Sequence, residues 1–244
     1  MNLNIIILAA GNGKRMHSSI PKVMHKVGGK TMLEHVLISA EKLNPISINV
    51  VINSRTEHIK SDFSKHKVNW YTQLEQKGTA DAVKTVLPDL KKDDHALILY
   101  ADIPLIDSQL LNKFINYMPQ SHVKVLTADL ENPFGYGRII REQAETEKIL
   151  RIVEESEADA KQKNITECNT GIVFSNVGTL EKLIAEVNNN NSKREYYLTD
   201  IVSVASQKNY VVAPLLAKES NSLLGVNDKS QLEKTEQIYQ NNYR

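Results

Sequence analysis

The sequence of 244 residues is poor in two features that mark whole classes of protein. It has a single cysteine, Cys168, so an internal disulfide framework is excluded and a reducing compartment is favoured. No stretch approaches the ~20 apolar residues of a membrane-spanning helix. The apolar beginning of the chain has no basic residue before a short core, which argues against a secretory signal peptide. We therefore expect a cytoplasmic protein that works without a membrane.

A net excess of charge is also missing. The chain has 30 Lys and Arg residues against 29 Asp and Glu residues, a formal net charge of +1. Such a balance provides no broad basic field for nucleic acid or an anionic membrane, so attraction for phosphate must be local. The apolar fraction of 41% at this length permits a large core. One α/β domain with an insertion is favoured over two independent domains.

The most distinctive stretch is the beginning of the chain. Five consecutive apolar residues, Ile5 to Ala9, are rich in β-branched types and predict a strand that is buried on both faces. Gly11 and Gly13 follow, so the backbone can turn tightly and expose a row of N–H groups suited to a polyphosphate. The basic residues beside this turn are Lys14, Arg15 and Lys22. Taken alone, these three are equally well explained as a solvated surface turn.

Apolar periodicity then alternates between strand and helix. We predict strands at 46–52, 68–71 and 95–100, and helices at 32–43, 56–65 and 80–87. Parallel neighbouring strands need a crossover connection, so this alternation predicts a Rossmann-like, mixed but mainly parallel sheet flanked by helices. Ligands of such sheets lie beyond the carboxyl ends of the strands. The 9–16 loop, Gln73 and Asp102 should therefore share one rim.

The second half departs from strict alternation. Extended segments at 123–130, 137–141 and 148–154 predict a small β insertion, at about 120–165, that forms one wall of a cleft. Further elements are predicted as a strand at 168–174, a helix at 180–187, a loop at 188–191, a helix from about 199 and a strand at 210–217. We predict one domain over 1–227 and a C-terminal helix over 228–244.

Two glycine motifs compete with this interpretation, and each fails at one position. The dinucleotide fingerprint G-x-G-x-x-G, begun at Gly11, needs a third glycine where the chain has Met16. The P-loop pattern needs its first glycine where the chain has Met24. We instead predict a turn at Gly28-Gly29, with Thr31 as the N-cap of the next helix. The histidines show no pair at the spacing of metal ligands.

A family resemblance comes from motifs taken together. Leu8-Ala9-Ala10-Gly11-x-Gly13-x-Arg15-Met16, followed by Pro21-Lys22, resembles the signature of the sugar-phosphate nucleotidyltransferases. Further motifs stand in the order seen in the uridyltransferase domain of the bifunctional N-acetylglucosamine-1-phosphate uridyltransferases. They are Gln73-x-x-x-x-Gly78-Thr79-Ala80, Tyr100-Ala101-Asp102-Ile103-Pro104-Leu105, Gly135-Tyr136-Gly137-Arg138-Ile139, Ile152-Val153-Glu154, Asn169-Thr170-Gly171-Ile172, Glu195-Tyr196-Tyr197-Leu198-Thr199-Asp200 and Gly225-Val226-Asn227. The resemblance covers essentially the whole chain.

The resemblance implies the nucleotide-diphospho-sugar transferase fold and a Mg²⁺-dependent reaction. In that family, UTP and N-acetylglucosamine 1-phosphate give pyrophosphate and UDP-N-acetylglucosamine, a precursor for cell-wall and lipopolysaccharide synthesis. By position, the catalytic residues would be Arg15 and Lys22, which stabilise charge on the departing pyrophosphate. Asp102 and Asn227 would hold Mg²⁺, an ion that prefers hard oxygen ligands. The acetyltransferase activity of the bifunctional enzymes is not expected of these residues.

The resemblance also implies two groups of binding residues. Around the nucleotide it places Leu8, Ala9, Ala10, Gly11, Gly13, Gln73, Gly78 and Thr79. Around the sugar it places Tyr100, Ala101, Gly137, Glu154, Asn169 and Thr199. Gln73 suits base recognition because one side-chain amide offers both a donor and an acceptor. Ala101 departs from the family, which usually has glycine before the metal aspartate, and its methyl group either crowds the backbone approach or is harmless at negative φ.

Two alternatives stay open. One is a nucleotidyltransferase of the same fold that uses another sugar phosphate or nucleotide, because the glycine loop itself reads phosphates rather than bases. The other is a non-catalytic sensor of nucleotide sugars. The presence of Arg15, Lys22, Asp102 and Asn227 together argues against the sensor, since a binding module does not need leaving-group and metal residues as a set.

Overall fold

The computed structural model describes residues 1–142, 148–218 and 221–242. Its strands in these ranges are β1 (Leu3–Leu8), β2 (Lys26–Val27), β3 (Lys30–Thr31), β4 (Ser47–Asn53), β5 (Asn69–Gln73), β6 (His95–Tyr100), β7 (Val123–Asp129), β8 (Arg138–Arg141), β9 (Ile149–Val153), β10 (Glu167–Asn176) and β11 (Val212–Ala217). Its α-helices there are α1 (Met32–Glu41), α2 (Thr79–Lys84), α3 (Ser108–Asn116), α4 (Val177–Ile184), α5 (Asp200–Gln207) and α6 (Lys229–Asn242). The weak helix expected at 56–65 is a 3₁₀ helix, Ser54–Phe63, and positions 243–244 of the predicted terminal helix lie outside the described residues. None of the described helices is long and apolar enough to cross a membrane.

The central sheet has the strand order β11-β7-β10-β6-β1-β4-β5. β1 lies inside it and pairs in parallel with both neighbours, so that Ile5 is level with Ile48 on β4 and with Leu97 on β6. β10 alone among these seven runs antiparallel to its neighbours β6 and β7. The predicted fold class, a mixed but mainly parallel sheet flanked by helices, is confirmed.

Helices cover both faces of β1, and the continuous apolar run of this strand explains why. All six of its residues are buried. Ile5 and Ile7 belong to the same apolar cluster as the buried face of α1. Ile6 and Leu8, which point to the opposite side of the sheet, belong to the cluster that contains α2 and α4. The carboxyl end of β1 is therefore held rigidly where the glycine loop begins.

The segment 123–130 was wrongly grouped with the β insertion. It forms β7, which lies in the central sheet between β10 and β11, with Val125 level with Val173 and with Pro214. A continuous apolar run predicts a buried strand but carries no information about which neighbours that strand pairs with. Among the described strands, β8 and β9 leave the path of the central sheet as a hairpin that touches β10 where Arg138 pairs with Cys168.

The C-terminal helix α6 packs against the turn between β2 and β3. Gly28 adopts φ +57° there and its N–H donates to Glu236 Oε2 at 2.7 Å. A Cβ at Gly28 would lie 2.0 Å from the ring of Tyr239, so only glycine fits beneath α6. Thr31 accepts a hydrogen bond from the N–H of Glu34, as its predicted role of N-cap requires.

Candidate active site

A cavity of about 450 Å³ opens at the carboxyl ends of β1, β5 and β6. The sequence-predicted residues that line it are Leu8, Ala9, Ala10, Gly11, Lys22, Gln73, Gly78, Thr79, Tyr100 and Asp102. Lining residues that the sequence did not assign to the site are Asn12, Lys14, Val23, Gln76, Ala82 and Glu195. Predicted residues outside this lining are Gly13, Arg15, Ala101, Gly137, Glu154, Asn169, Thr199 and Asn227. The cavity lies at the rim where ligands of open α/β sheets bind.

The glycine loop presents backbone donors to this cavity. The N–H of Ala9 still belongs to the sheet and donates to the carbonyl oxygen of Val51 at 2.8 Å. The amides of residues 10–13 donate to no acceptor within the described residues. Gly13 has φ +59°, and a Cβ there would lie 2.7 Å from Cβ of Lys22. The loop therefore offers a run of free N–H groups beside a lysine, which suits an anion.

Lys22, Asp102 and Asn227 meet although they are far apart in sequence. The ammonium of Lys22 forms an ion pair with Asp102 Oδ2 and donates to Asn227 Oδ1 at 3.2 Å. Asp102 is the second residue after β6, and its carbonyl oxygen accepts from the N–H of Val226 at 2.8 Å. The hydroxyl of Tyr136 accepts from the N–H of Gly225 at 3.0 Å. The first bond thus holds the segment that carries Asn227 against the residues just after β6, and the second ties it to Tyr136.

The oxygen atoms of Asp102 and Asn227 fit a hard divalent cation. Both lie within hydrogen-bond reach of one nitrogen, Lys22 Nζ, so they converge on one point. Within the described residues, no group of three or more His, Cys, Asp and Glu residues could hold a metal ion. One carboxylate and one amide oxygen suit Mg²⁺, which usually completes its shell with water and substrate phosphates.

The predicted sugar residues form a second cluster around the start of β8. The N–H of Asn169 donates to the carbonyl oxygen of Gly137 at 2.8 Å. Glu154 Oε1 accepts from the hydroxyl of Thr199 at 2.8 Å, and a Cβ at Gly137 would lie 3.7 Å from that same oxygen. Burial raises the pKa of Tyr100, and the charges of Glu154 and Asp102 raise it further. The charges of both the sugar cluster and the metal candidates therefore act on Tyr100, which lines the cavity.

The acidic residues Glu154, Glu157 and Asp200 are among those that line a neighbouring pocket beside this cluster. Burial raises the pKa of Glu154, although the hydrogen bond from Thr199 opposes the shift. Burial, followed by the charges of Glu154 and Glu157, raises the pKa of Asp200 from 3.8 to about 6. The carboxylates of Glu154 and Asp200 are therefore each held in a place that disfavours their charge.

Replacing Asp200 by asparagine is expected to stabilise the protein at neutral pH. The folded state raises the pKa of Asp200, so stability from this group is fully present below pH 3.8 and is lost as the pH rises to about 6. The increase in melting temperature over the unsubstituted chain should be larger at pH 7.5 than at pH 4. Thermal melts of Asp200→Asn and of the exposed control Asp62→Asn at both values measure this. An equal shift at the two pH values would contradict the expectation.

Ala101 and Arg15 are two of the predicted residues that do not line the cavity. Ala101 is completely buried in the core, and its φ is not in the left-handed region. Its N–H donates to the carbonyl oxygen of Leu8 at 3.1 Å, and Ala101 is not among the residues that line the cavity, so alanine fits here without backbone strain. Arg15 is exposed, and no ion pair holds it in the described part of the chain. Lys14, not Arg15, contributes to the lining.

Gln76 is a functional candidate that sequence reasoning missed. Its side-chain NH₂ donates to the carbonyl oxygen of Ala10, and its side-chain oxygen accepts from the amide of Asn12. Gln76 thereby joins the segment after β5 to the glycine loop. It lies inside the Gln73 to Thr79 motif, but a polar residue in a loop gives no signal of its partner.

Gly78 is fixed by its backbone and by its neighbours. It has φ +121°, a region that essentially glycine alone adopts. A Cβ there would lie 2.4 Å from the carbonyl oxygen of Tyr196. That oxygen accepts from the N–H of Ala80 at 2.9 Å, and the hydroxyl of Thr79 accepts from the N–H of Leu198 at 2.9 Å. The start of α2 is thus packed directly on the 196–198 segment.

Gly78→Ala is expected to cost ~1–3 kcal/mol of folding stability, because the added Cβ forces the loop away from Tyr196. Gly11→Ala is the matched control, since a Cβ there meets nothing within 4 Å. Its free energy of unfolding should stay within ~0.5 kcal/mol of the unsubstituted chain. Urea unfolding of both variants checks the difference, and equal losses would show that the Gly78 loop relaxes freely.

Comparisons with known proteins agree with this fold. Residues 5–169 match the family model described as the MobA-like NTP transferase domain. Among solved structures, the chain is similar to a Bacillus anthracis protein assigned as a glucose-1-phosphate thymidylyltransferase and crystallised with sucrose. The two are 18% identical, the match covers 97% of this chain and 94% of the other, and the TM-score is 0.73. The inositol-1-phosphate CTP transferase from T. maritima is 14% identical, with coverage of 97% and 96% and a TM-score of 0.72. At these identities the likeness shows a shared fold.

Proposed function

This chain belongs to the family of MobA-like NTP transferase domains, a family of nucleotidyltransferases, and we propose that it makes UDP-N-acetylglucosamine. It would transfer a uridylyl group from UTP to N-acetylglucosamine 1-phosphate and release pyrophosphate. The observation that carries this proposal is the meeting of Lys22, Asp102 and Asn227 beside the free amides of the glycine loop. We place the reaction in the cytoplasm, with its product used for cell-wall and lipopolysaccharide precursors.

Nucleotidyl transfer requires that the two substrates be positioned in line and that positive charge stabilise their phosphates. A phosphate oxygen of the sugar phosphate already carries negative charge, so its in-line attack on the α-phosphorus of the nucleotide needs no general base. The amides of residues 10–13 would bind the triphosphate, and Lys22 would exchange its contacts with Asp102 and Asn227 for phosphate oxygens. Mg²⁺ bound by Asp102 and Asn227 would add positive charge next to the phosphates.

The cluster around Gly137 would hold the sugar. Glu154 is a strong acceptor for sugar hydroxyls, and Gly137 lets the backbone approach the ring closely. Asn169 Oδ1 already accepts from the N–H of Gly171 at 3.1 Å, which leaves the NH₂ group of Asn169 for a carbonyl or hydroxyl of the ligand. Arg15 is exposed beside the glycine loop, and its side chain would have to turn toward the cavity to contact the pyrophosphate.

The substrate pair is the finer part of the proposal. The two similar structures are described as acting with other nucleotides, a thymidylyltransferase and a CTP transferase. The sequence motifs support UTP and N-acetylglucosamine 1-phosphate instead. A nucleotidyltransferase for another pair is therefore the second candidate, and the sensor is disfavoured because leaving-group and metal candidates converge.

A pyrophosphate-release assay tests both levels of the proposal. It crosses UTP, dTTP, CTP, GTP and ATP with N-acetylglucosamine 1-phosphate, glucose 1-phosphate and inositol 1-phosphate in the presence of Mg²⁺. The largest kcat/KM is expected for UTP with N-acetylglucosamine 1-phosphate. A different best pair would correct the substrates and keep nucleotidyl transfer, whereas release with no pair would refute the enzyme.

A further inference from the structure

The side-chain amide of Gln73 has its NH₂ group bonded within the protein and its oxygen unbonded among the described residues. Gln73 stands at the end of β5, lines the cavity and is 4% exposed. Its Nε2 donates to the carbonyl oxygen of Gly78 at 3.0 Å and to Asp81 Oδ2 at 2.7 Å. An amide nitrogen has two hydrogens, so both of its donors are satisfied. The expectation that Gln73 offers a donor and an acceptor to a base is thus met only on the acceptor side.

The orientation of this amide follows from the chemistry of its two partners. Both are acceptors, and one is a carboxylate, so turning the amide over would place the oxygen of Gln73 against two other oxygens. No described residue donates to Gln73 Oε1. That oxygen is the one polar atom of the side chain left for a ligand in the cavity.

We propose that Asp81 is a positioning residue that makes the base site select uracil over cytosine. This inference rests on the proposed function and deepens it. By holding the NH₂ group of Gln73, Asp81 leaves only an acceptor facing the base. Uracil and thymine carry a ring N3–H that can donate to it, whereas N3 of cytosine is an acceptor and is repelled. Asp81 does not line the cavity and therefore acts through Gln73.

The substitution Asp81→Asn tests the role of the carboxylate. An asparagine has nearly the same shape but can donate as well as accept. It therefore no longer opposes a turned-over Gln73 amide, and of the two acceptors only the carbonyl oxygen of Gly78 still fixes the orientation. The ratio of kcat/KM for UTP to that for CTP should fall at least tenfold, while kcat at saturating UTP changes less than threefold. The matched control is Asp89→Asn, which removes a carboxylate bonded to the hydroxyl of Tyr71 and should leave the ratio unchanged.

Calorimetric titration of UTP and CTP without a sugar phosphate separates this inference from the proposed function. If no pair of substrates turns over, the proposed reaction fails, but the ratio of UTP to CTP affinities and its change in Asp81→Asn still decide the role of Asp81. A folded Asp81→Asn chain with an unchanged ratio would overturn the inference, as would an unsubstituted chain that binds CTP more tightly.

A measurement on the unsubstituted chain covers the case in which Asp81→Asn does not fold. N3-methyl-UTP lacks the ring N–H and should bind at least tenfold more weakly than UTP. 5-Methyl-UTP keeps that N–H, carries a methyl group of the same size and serves as the control. Equal affinity for N3-methyl-UTP and UTP would mean that Gln73 Oε1 does not receive the base, and the inference would be rejected.

Discussion

Lys22→Ala is expected to lower turnover by a few orders of magnitude while the fold stays intact. The ammonium of Lys22 contacts oxygen atoms of both Asp102 and Asn227, and Lys22 stands next to the free amides of the glycine loop. Removing one such charge-stabilising contact typically costs ~3 kcal/mol in the barrier. The measurement is kcat at saturating substrates, with circular dichroism to confirm folding.

Lys26→Ala is the matched control for that result. Lys26 is an exposed lysine on β2, four positions further along the chain, and it does not line the cavity. Its loss should leave kcat within about twofold, because exposed charges contribute little. A folded Lys22→Ala protein with near-normal turnover would mean that Lys22 belongs to an ordinary surface turn.

Asp102→Asn is expected to abolish most activity and to spare part of the nucleotide affinity. The change keeps the shape of the side chain but removes the carboxylate that pairs with Lys22 and that would bind Mg²⁺. Turnover should fall ~10² or more. Nucleotide binding through the loop amides should partly remain. The control is Asp107→Asn, since Asp107 caps α3 and lies outside the cavity lining.

Calorimetry with Mg²⁺ examines the same site without catalysis. The free protein is expected to bind Mg²⁺ weakly, because one carboxylate and one amide are few ligands and the ammonium of Lys22 already lies between them. Addition of UTP should bring measurable Mg²⁺ binding that Asp102→Asn lacks. Tight Mg²⁺ binding by the free chain, or full activity of Asp102→Asn, would show that the ligands are assigned wrongly.

Most of the order of strands and helices could be predicted because it depends on local pattern, although α3 and the short strands β2 and β3 were missed. The apolar run of β1 and the cap at Thr31 are recognisable within a few residues, and the structure agrees with both. The place of β7 was not predictable, because its partners β10 and β11 lie far along the chain. Apolar patterning indicates burial, whereas pairing is decided by contacts distant in sequence.

In the candidate site, too, contacts between residues far apart in sequence could not be predicted from local pattern. Lys22 and Asp102 are 80 positions apart, and Lys22 and Asn227 are 205 apart, so only the resemblance could put them together. The resemblance named Gln73 but could not reveal that its NH₂ group is already bonded to Asp81. Gln76 was missed because its partner, the carbonyl oxygen of Ala10, is a backbone atom that no sequence motif records.

Shortening this chain from its C-terminal side would damage catalysis before it damaged the central sheet. α6 begins two residues after Asn227, and Gln231 accepts from the N–H of Asn227 at 2.7 Å. Tyr239, two turns further on, lies over Gly28. A minimal domain designed for expression or fusion should therefore extend through Tyr239. Removing α6 would remove the hydrogen bond from the N–H of Asn227 to Gln231 and so disturb the proposed metal site.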